Sequence, residues 1–481
     1  MLSTSLLILL LYGSPDAIVR NANGDTLVPL QMAVAVHSDP HAWATFQWSR
    51  VASLPDFAWF WIAEGLGLGW RTALLVYTCL VAAALTFCLA FVAARLAAQP
   101  VRAMMTKAAG ALLMLLLPLT ALHLGLGLQL RGFLQFFYPE SHGNALLLAL
   151  IATGLPKERR FLLLLVCVIG TISDFLFVTS FVLPLLLAMI LTGRRSQADL
   201  RHLLIAMAGY AIGGLVRGQM FMQTVFTVPL LDRLKQAPDI LLAMSKGEMP
   251  WLIGIGMALM LIAAFRAHRQ APHDVRSFLL LQASLAALGG LGLAFLALLD
   301  EAGWRYAMPS LWWPVAVIVP HLPAPRRWAG TLALAISALL LPYTSQALRT
   351  WRSSTEACVA QVPGLQSGLA TYWFSRQTEA SANWQRHIAT IDAQGAPYIL
   401  ANDVASYWRD GGNPHRPARF NFIIVDKGAD PAALRARYGA PARRIACPKV
   451  DLWVYDEWLW PMSAAERQEW LERVKGIEPS S

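Results

Sequence analysis

The stretch that decides the fold is residues 74–94, LLVYTCLVAAALTFCLAFVAA, which carries no charged side chain. A helix needs about 20 apolar residues to cross the hydrocarbon core of a bilayer. Similar stretches recur along the chain, which is 56% hydrophobic and only 14% charged, whereas soluble domains carry about 25% charged residues. Because a backbone in lipid must satisfy its own hydrogen bonds, the sequence predicts an all-α polytopic membrane domain.

Apolar segments and basic gaps together predict a topology of about eleven membrane crossings. Basic side chains occupy every second gap, as Arg95, Arg102 and Lys107 do, and this positive-inside pattern favours loop anchoring over nucleic-acid binding. The pattern places the N-terminus in the cytosol and residues 14–69 outside. After an initial segment at residues 1–13, which a signal peptide would also explain, crossings are expected at residues 70–94, 108–130, 143–155, 161–174, 175–192, 202–216, 250–265, 277–299, 304–320 and 328–345. The segments at 143–155 and 161–174 are short for a full span, so tilted, re-entrant or mutually buried segments are the alternative there.

Three regions differ in composition. Residues 1–345 form the predicted membrane domain, and its long first outer loop, 14–69, is expected to hold one or two interfacial helices. Residues 346–462 are richer in charge and predict a small α/β domain outside the membrane, and residues 463–481 predict a poorly ordered tail. Within the α/β domain, strands are expected in APYILAND, RFNFIIVDKG and KVDLWVYDEW, and helices in DPAALRARYG and GLATYWFSRQTEA.

Two of the five cysteines fall in the predicted outer domain. Cys358 and Cys447 are expected to form a disulfide, because an oxidising compartment permits one; the alternative is two free thiols. The other three cysteines lie in apolar segments and are interpreted as small buried residues. The sequence contains no convincing metal-binding motif, so any cofactor is left unknown.

Polar side chains at the outer ends of apolar segments are the candidate functional residues, because ionisable groups there are costly. Asp25 suits either a helix N-cap or a general base at the membrane surface. His142 is interpreted as a loop or cap residue, or alternatively as part of a metal or proton site. Asp174 is interpreted as a cap of the following helix. Arg217 and Arg305 suit either snorkelling to lipid phosphates or binding a substrate phosphate.

The layout resembles the GT-C superfamily of integral-membrane glycosyltransferases, which use polyprenyl-phosphate-linked sugars. The motifs that carry the resemblance are NGDTLVP, SLPDF, SDFLFVTSFVLP, WRYAMP, GLATYW and FNFIIVDKG. The resemblance implies Asp25 as the catalytic base, with Asp56 as a reserve. It also implies that Arg217 and Arg305, with the neighbouring Tyr306, hold the lipid phosphate.

The chain is also similar to a group of bacterial membrane proteins, mostly of unknown function. This similarity implies an inner-membrane location with a periplasmic C-terminal domain. The paired acids that many GT-C members carry in the first outer loop are absent, since Asp25 and Asp39 are separated. This departure leaves open a divalent metal and a non-catalytic protein with a degenerate GT-C fold. A transporter or flippase for a polar lipid is a further alternative, disfavoured because acids deep in the membrane are scarce.

Overall fold

The computed structural model describes most of the chain. The described residues are 25–40, 42–47, 54–126, 136–139, 142–220, 235, 249–270, 274–297, 306–323, 331, 335, 353–398, 402–410, 413–417, 419–463, 465–466 and 468. The first predicted crossing, most of the second outer loop and of the last crossing, and much of the tail lie outside them.

Helices dominate the first three quarters of the chain. In chain order, the described helices are α1 Val28–Ser38, α2 Ala42–Thr45, α3 Leu54–Gly65, α4 Trp70–Ala97, α5 Val101–Leu126, α6 Gly143–Gly154, α7 Arg160–Ser173, α8 Leu183–Thr192, α9 Gln197–Met220, α10 Met249–Gln270, α11 Val275–Ala297, α12 Met308–Ile318, α13 Ser354–Val359, α14 Tyr372–Ser381 and α15 Pro431–Tyr438. A π-helical turn, Val178–Val182, leads directly into α8.

Three helical segments among the described residues are long and apolar enough to cross a membrane: Trp70–Ala97, Gln197–Gly218 and Val275–Ala294. Four shorter apolar helices accompany them, Gly143–Gly154, Arg160–Ser173, Val178–Thr192 and Ile253–Ala267. The structure is therefore mostly helical, and its described residues contain three full-length apolar spans, fewer than the eleven crossings that the sequence predicts for the whole chain. The shortfall is clearest in α6 and α7, whose 12 and 14 residues are short of the roughly 20 that a perpendicular span requires.

Basic residues in or beside the predicted cytosolic gaps contact polar groups of other segments. The Arg95 guanidinium donates to the Thr153 carbonyl oxygen at 2.8 Å, near the end of α6. Lys107 Nζ donates to the Pro320 carbonyl oxygen at 2.8 Å, and Lys157 pairs with Asp199 in the first turn of α9. Cations near helix C-termini are favourable because the last carbonyl groups lack partners within the helix.

The chain divides into two compact units. The membrane unit comprises Met1–Ser14, Arg50–Pro55 and Leu74–Gln346; the α/β unit comprises Pro15–Ser49, Asp56–Ala73 and Ala347–Ser481. The boundary near residue 346 coincides with the predicted domain boundary. Most of the first outer loop, however, belongs with the C-terminal residues rather than with the membrane unit.

The α/β unit is built around a five-stranded sheet in the order β3-β2-β7-β9-β8. The strands of the unit are β1 Phe46–Gln47, β2 Ser367–Thr371, β3 Ile388–Ile391, β4 Asn402–Asp403, β5 Arg409–Asp410, β6 Asn413–Pro417, β7 Phe420–Val425, β8 Arg443–Ala446 and β9 Asp451–Leu459. Strand β2 runs parallel to both β3 and β7, whereas β9 is antiparallel to β7 and β8.

Alternate residues of the central strands enter two separate apolar cores, one on each face of the sheet. Leu369 and Ile423 lie in the larger core with the aromatic rings of Trp453 and Tyr455, while their neighbours, such as Ile424, lie in the smaller core on the other face. This alternation follows from the two-residue period of a strand. Burial on both faces is usual for parallel strands.

The predicted strands and helices of the α/β unit are present with two differences. Strands β7 and β9 and helix α15 fall where expected, and Asp430 caps α15 by accepting from two backbone N–H groups. GLATYWFSRQTEA, expected to be helical throughout, is divided between strand β2 and helix α14. APYILAND contributes only β4 and one isolated bridge among its described residues. The expected disulfide joins Cys358 to Cys447.

The described part of the first outer loop begins with a turn and a helix, α1, as the apolar spacing of residues 27–36 predicts. Helix α1 starts with Pro29 among its first residues, where a missing N–H is tolerated. Asp25 is not its N-cap: that position is Leu27, whose side chain makes no capping hydrogen bond.

Candidate functional site

Asp25 is held by a tyrosine from the distant C-terminal part of the chain. The Tyr372 hydroxyl donates to Asp25 Oδ1 at 2.7 Å, and both residues are partly buried. Hydrogen bonds to an ionised group are stronger than those between neutral groups. Asp25 is thus a carboxylate in a defined orientation that retains access to solvent.

The position of Tyr372 follows from the sheet. Strand β2 ends at Thr371, and Tyr372 is the first residue of α14. In open parallel sheets, ligands bind at the carboxyl ends of strands, where successive connections leave in opposite directions. Strand β2 has this position, between parallel neighbours β3 and β7. Asp25 therefore lies at the edge of the sheet where α/β proteins place their ligands.

A fully buried arginine lies one helical turn beyond Tyr372. The Arg376 guanidinium packs over the Tyr372 ring, 4.5 Å from its centroid. Its Nε donates to Gln31 Oε1 at 2.6 Å, and a terminal nitrogen donates to Asn402 Oδ1 at 2.9 Å. The side chain is 0% exposed, so these polar contacts are needed to satisfy a charge removed from water. Arg376 thereby ties helix α1 to α14.

Glu379 extends this network along the same helix. Its Oε1 interacts with His387 Nδ1 at 3.0 Å and accepts from the Ile388 backbone N–H at 2.9 Å. Its Oε2 accepts from Gln31 Nε2 at 3.3 Å. Gln31 therefore bridges an arginine and a glutamate. We call Asp25, Gln31, Tyr372, Arg376 and Glu379 the Asp25 cluster.

A second polar cluster lies within the membrane unit. His142 Nδ1 is paired with Asp174 Oδ2, and both residues are buried. Asp174 Oδ1 also accepts from the Leu176 backbone N–H at 3.0 Å, so it caps the following turn as predicted. The Tyr306 ring lies against the imidazole, with 4.5 Å between ring centroids.

Arg217 lies beside the same helix end. Its guanidinium donates to the carbonyl oxygens of Thr171 and Ile172 at 3.2 and 3.5 Å, close to Asp174 in the chain. We call His142, Asp174, Arg217 and Tyr306 the His142 cluster. The structure therefore brings together four residues that the sequence singles out separately.

The local backbone of His142 is unusual. His142 adopts a left-handed conformation, with φ of 70°, a region that residues other than glycine seldom occupy and that is often found at functional sites. The next residue is Gly143, where an added Cβ would lie 2.3 Å from the Phe136 carbonyl oxygen. The glycine therefore permits the close backbone approach that positions His142 at the start of α6.

The remaining predicted site residues have different surroundings. Asp56 is only 1% exposed and lies in the first turn of α3, where a carboxylate is favourable to the helix dipole. Arg305 lies outside the described residues. Sequence reasoning missed Tyr372, Arg376 and Glu379, although the GLATYW motif contains the first of them. The one available signal was an arginine and a glutamate on consecutive turns of an otherwise weakly charged helix.

Within the part of the chain that the structure describes, no group of three or more His, Cys, Asp or Glu side chains is placed to hold a metal ion. No protein-family model matches this chain, and no curated protein matches it either.

Proposed function

We propose that this chain is an integral-membrane glycosyltransferase of the GT-C type, which transfers a sugar from a polyprenyl-phosphate donor to an acceptor hydroxyl. The observation that carries the proposal is the Asp25 carboxylate, which Tyr372 orients at 2.7 Å and which is only partly buried. A general base must be fixed in position and still reachable by its substrate. Asp25 meets both requirements, whereas the reserve candidate Asp56 is almost fully buried.

In the proposed reaction, the acceptor hydroxyl gives its proton to Asp25 as its oxygen bonds to the anomeric carbon of the sugar. The bond between that carbon and the phosphate oxygen breaks, and the lipid phosphate leaves with the electron pair. Positive side chains that face the leaving phosphate lower the barrier. The sequence resemblance assigns this role to Arg217 and Arg305.

Arg217 suits the assignment chemically. One of its terminal nitrogens donates to the end of helix α7, and its guanidinium is the planar group that binds phosphate oxygens best. The proposal includes the finer topology expected from the sequence: about eleven crossings of a bacterial inner membrane, with the C-terminal unit in the periplasm.

The experiment is a comparison of purified wild-type protein with Asp25→Asn, each given polyprenyl-phosphate-linked sugars in detergent micelles. Removing a general base lowers the rate by about 10²- to 10⁴-fold, so Asp25→Asn is expected to lose at least two orders of magnitude in sugar release. Asp39→Asn is the matched control, because it makes the same change in the same N-terminal segment. Wild-type turnover by Asp25→Asn would assign the base elsewhere. Absence of turnover by the wild-type protein with every donor would argue against a transferase.

A further inference from the structure

One ring nitrogen of His142 has a hydrogen-bonding partner and the other does not. Nδ1 is paired with Asp174, whereas Nε2 is buried and has no hydrogen-bond partner among the described residues. His142 as a whole is only 5% exposed. Native proteins leave few buried polar atoms unsatisfied, and each one calls for an explanation such as strain, a catalytic role, or a water or ion.

The contact with Asp174 fixes which ring nitrogen is the donor. A carboxylate oxygen accepts hydrogen bonds, so the Nδ1 that it contacts is the donating nitrogen. Neutral histidine donates from one nitrogen and accepts at the other, so in the neutral ring this contact leaves the lone pair on Nε2.

We propose that His142 Nε2 is the acceptor in a binding site for a hydroxyl group, with Asp174 as the positioning residue that fixes the accepting tautomer. The ligand is a hydroxyl-bearing molecule, either a water-soluble saccharide or a membrane alcohol. The Tyr306 ring, whose centroid lies 4.5 Å from that of the imidazole, packs against it and supports its orientation. The site goes beyond the proposed function, since it requires neither Asp25 nor a sugar donor.

The experiment measures how fast the Nε2 lone pair reacts. Diethyl pyrocarbonate acylates unprotonated imidazole nitrogen, and peptide mass spectrometry locates the product on His142 in the folded full-length protein. The exposed His37 serves as an internal standard. We expect His142 to react at pH 7, and Asp174→Asn to slow that reaction about ten- to hundredfold, because a charge-assisted hydrogen bond is lost.

Asp199→Asn provides the matched control, since Asp199 pairs with Lys157 at the start of another helix. It is expected to leave the reaction rate at His142 unchanged. The rate is followed from pH 5 to 8, where the charged groups facing the imidazole are Asp174 and Arg217. Equal rates in wild-type protein and a folded Asp174→Asn variant would overturn the role of Asp174.

Two experiments, in which a bound ligand would protect His142 from acylation, identify the source of the hydroxyl. Methyl glucoside is added in water in one arm, and polyprenol is incorporated in lipid nanodiscs in the other. Slower acylation of His142 in one arm only supports a ligand of that class, whereas protection in neither arm overturns the hydroxyl site. If His142 reacts only after unfolding, the imidazole is a buried structural group and the proposal is wrong. These measurements on the wild-type protein test the hydroxyl site even if Asp174→Asn fails to fold.

Discussion

Gln31→Leu is expected to release helix α1 from the α/β unit. Gln31 accepts from Arg376 Nε at 2.6 Å and donates to Glu379 Oε2 at 3.3 Å. Leucine has nearly the same size but neither polar group, so both contacts are lost. A hydrogen bond to a charged group contributes about 1.5–3 kcal/mol. The contact with Glu379 is long, and Gln31 is only partly buried, so we expect a total loss of about 2–3 kcal/mol.

Hydrogen–deuterium exchange of the peptide that contains Val28–Ser38 measures this loss directly. Local opening of one element lowers its protection without unfolding the whole protein. A loss of about 2–3 kcal/mol corresponds to about 30- to 150-fold faster exchange. Gln385→Leu is the matched control, because Gln385 is exposed and no hydrogen bond of its side chain is observed in the described structure. Unchanged protection of helix α1 in Gln31→Leu would refute the view that the Arg376 network holds this helix.

Two further predictions concern the stability of the α/β unit. The Cys358–Cys447 disulfide closes a loop with a sequence separation of 89 residues, and loop-closure entropy for that length is up to about 4–5 kcal/mol. Replacing both cysteines by serine is therefore expected to lower the melting temperature, and reductant should lower it only in the wild-type protein. Burial raises the pKa of Tyr438 to about 12, above its ordinary value near 10. Stability from this neutral phenol is complete below pH 10 and is lost as the pH rises towards 12; Tyr438→Phe should show a weaker decline between pH 9 and 12 in melting experiments.

Several elements were predictable because their signals are local. Apolar stretches free of charge predict helices suited to lipid, and Asp430 and Gly439 bracket α15 as cap residues do. Alternating apolar residues predict β7 and β9. Strand β2 was missed because SGLAT is short, contains glycine and runs directly into the amphipathic start of α14. When the partner strand is unknown, the spacing of apolar residues in a five-residue stretch does not distinguish a strand from a helix.

The sequence by itself predicted long apolar helices, a small α/β region, a disulfide between two cysteines and a short set of candidate residues. Only the tertiary structure decided which of those residues meet. Asp25 and Tyr372 are 347 residues apart, and His142 and Asp174 are 32 residues apart. No repeating pattern links positions so far apart, because helical and strand periodicities specify which face a side chain occupies, not its partner. The grouping of the first outer loop with the C-terminal unit likewise depends on contacts such as Gln31 with Arg376.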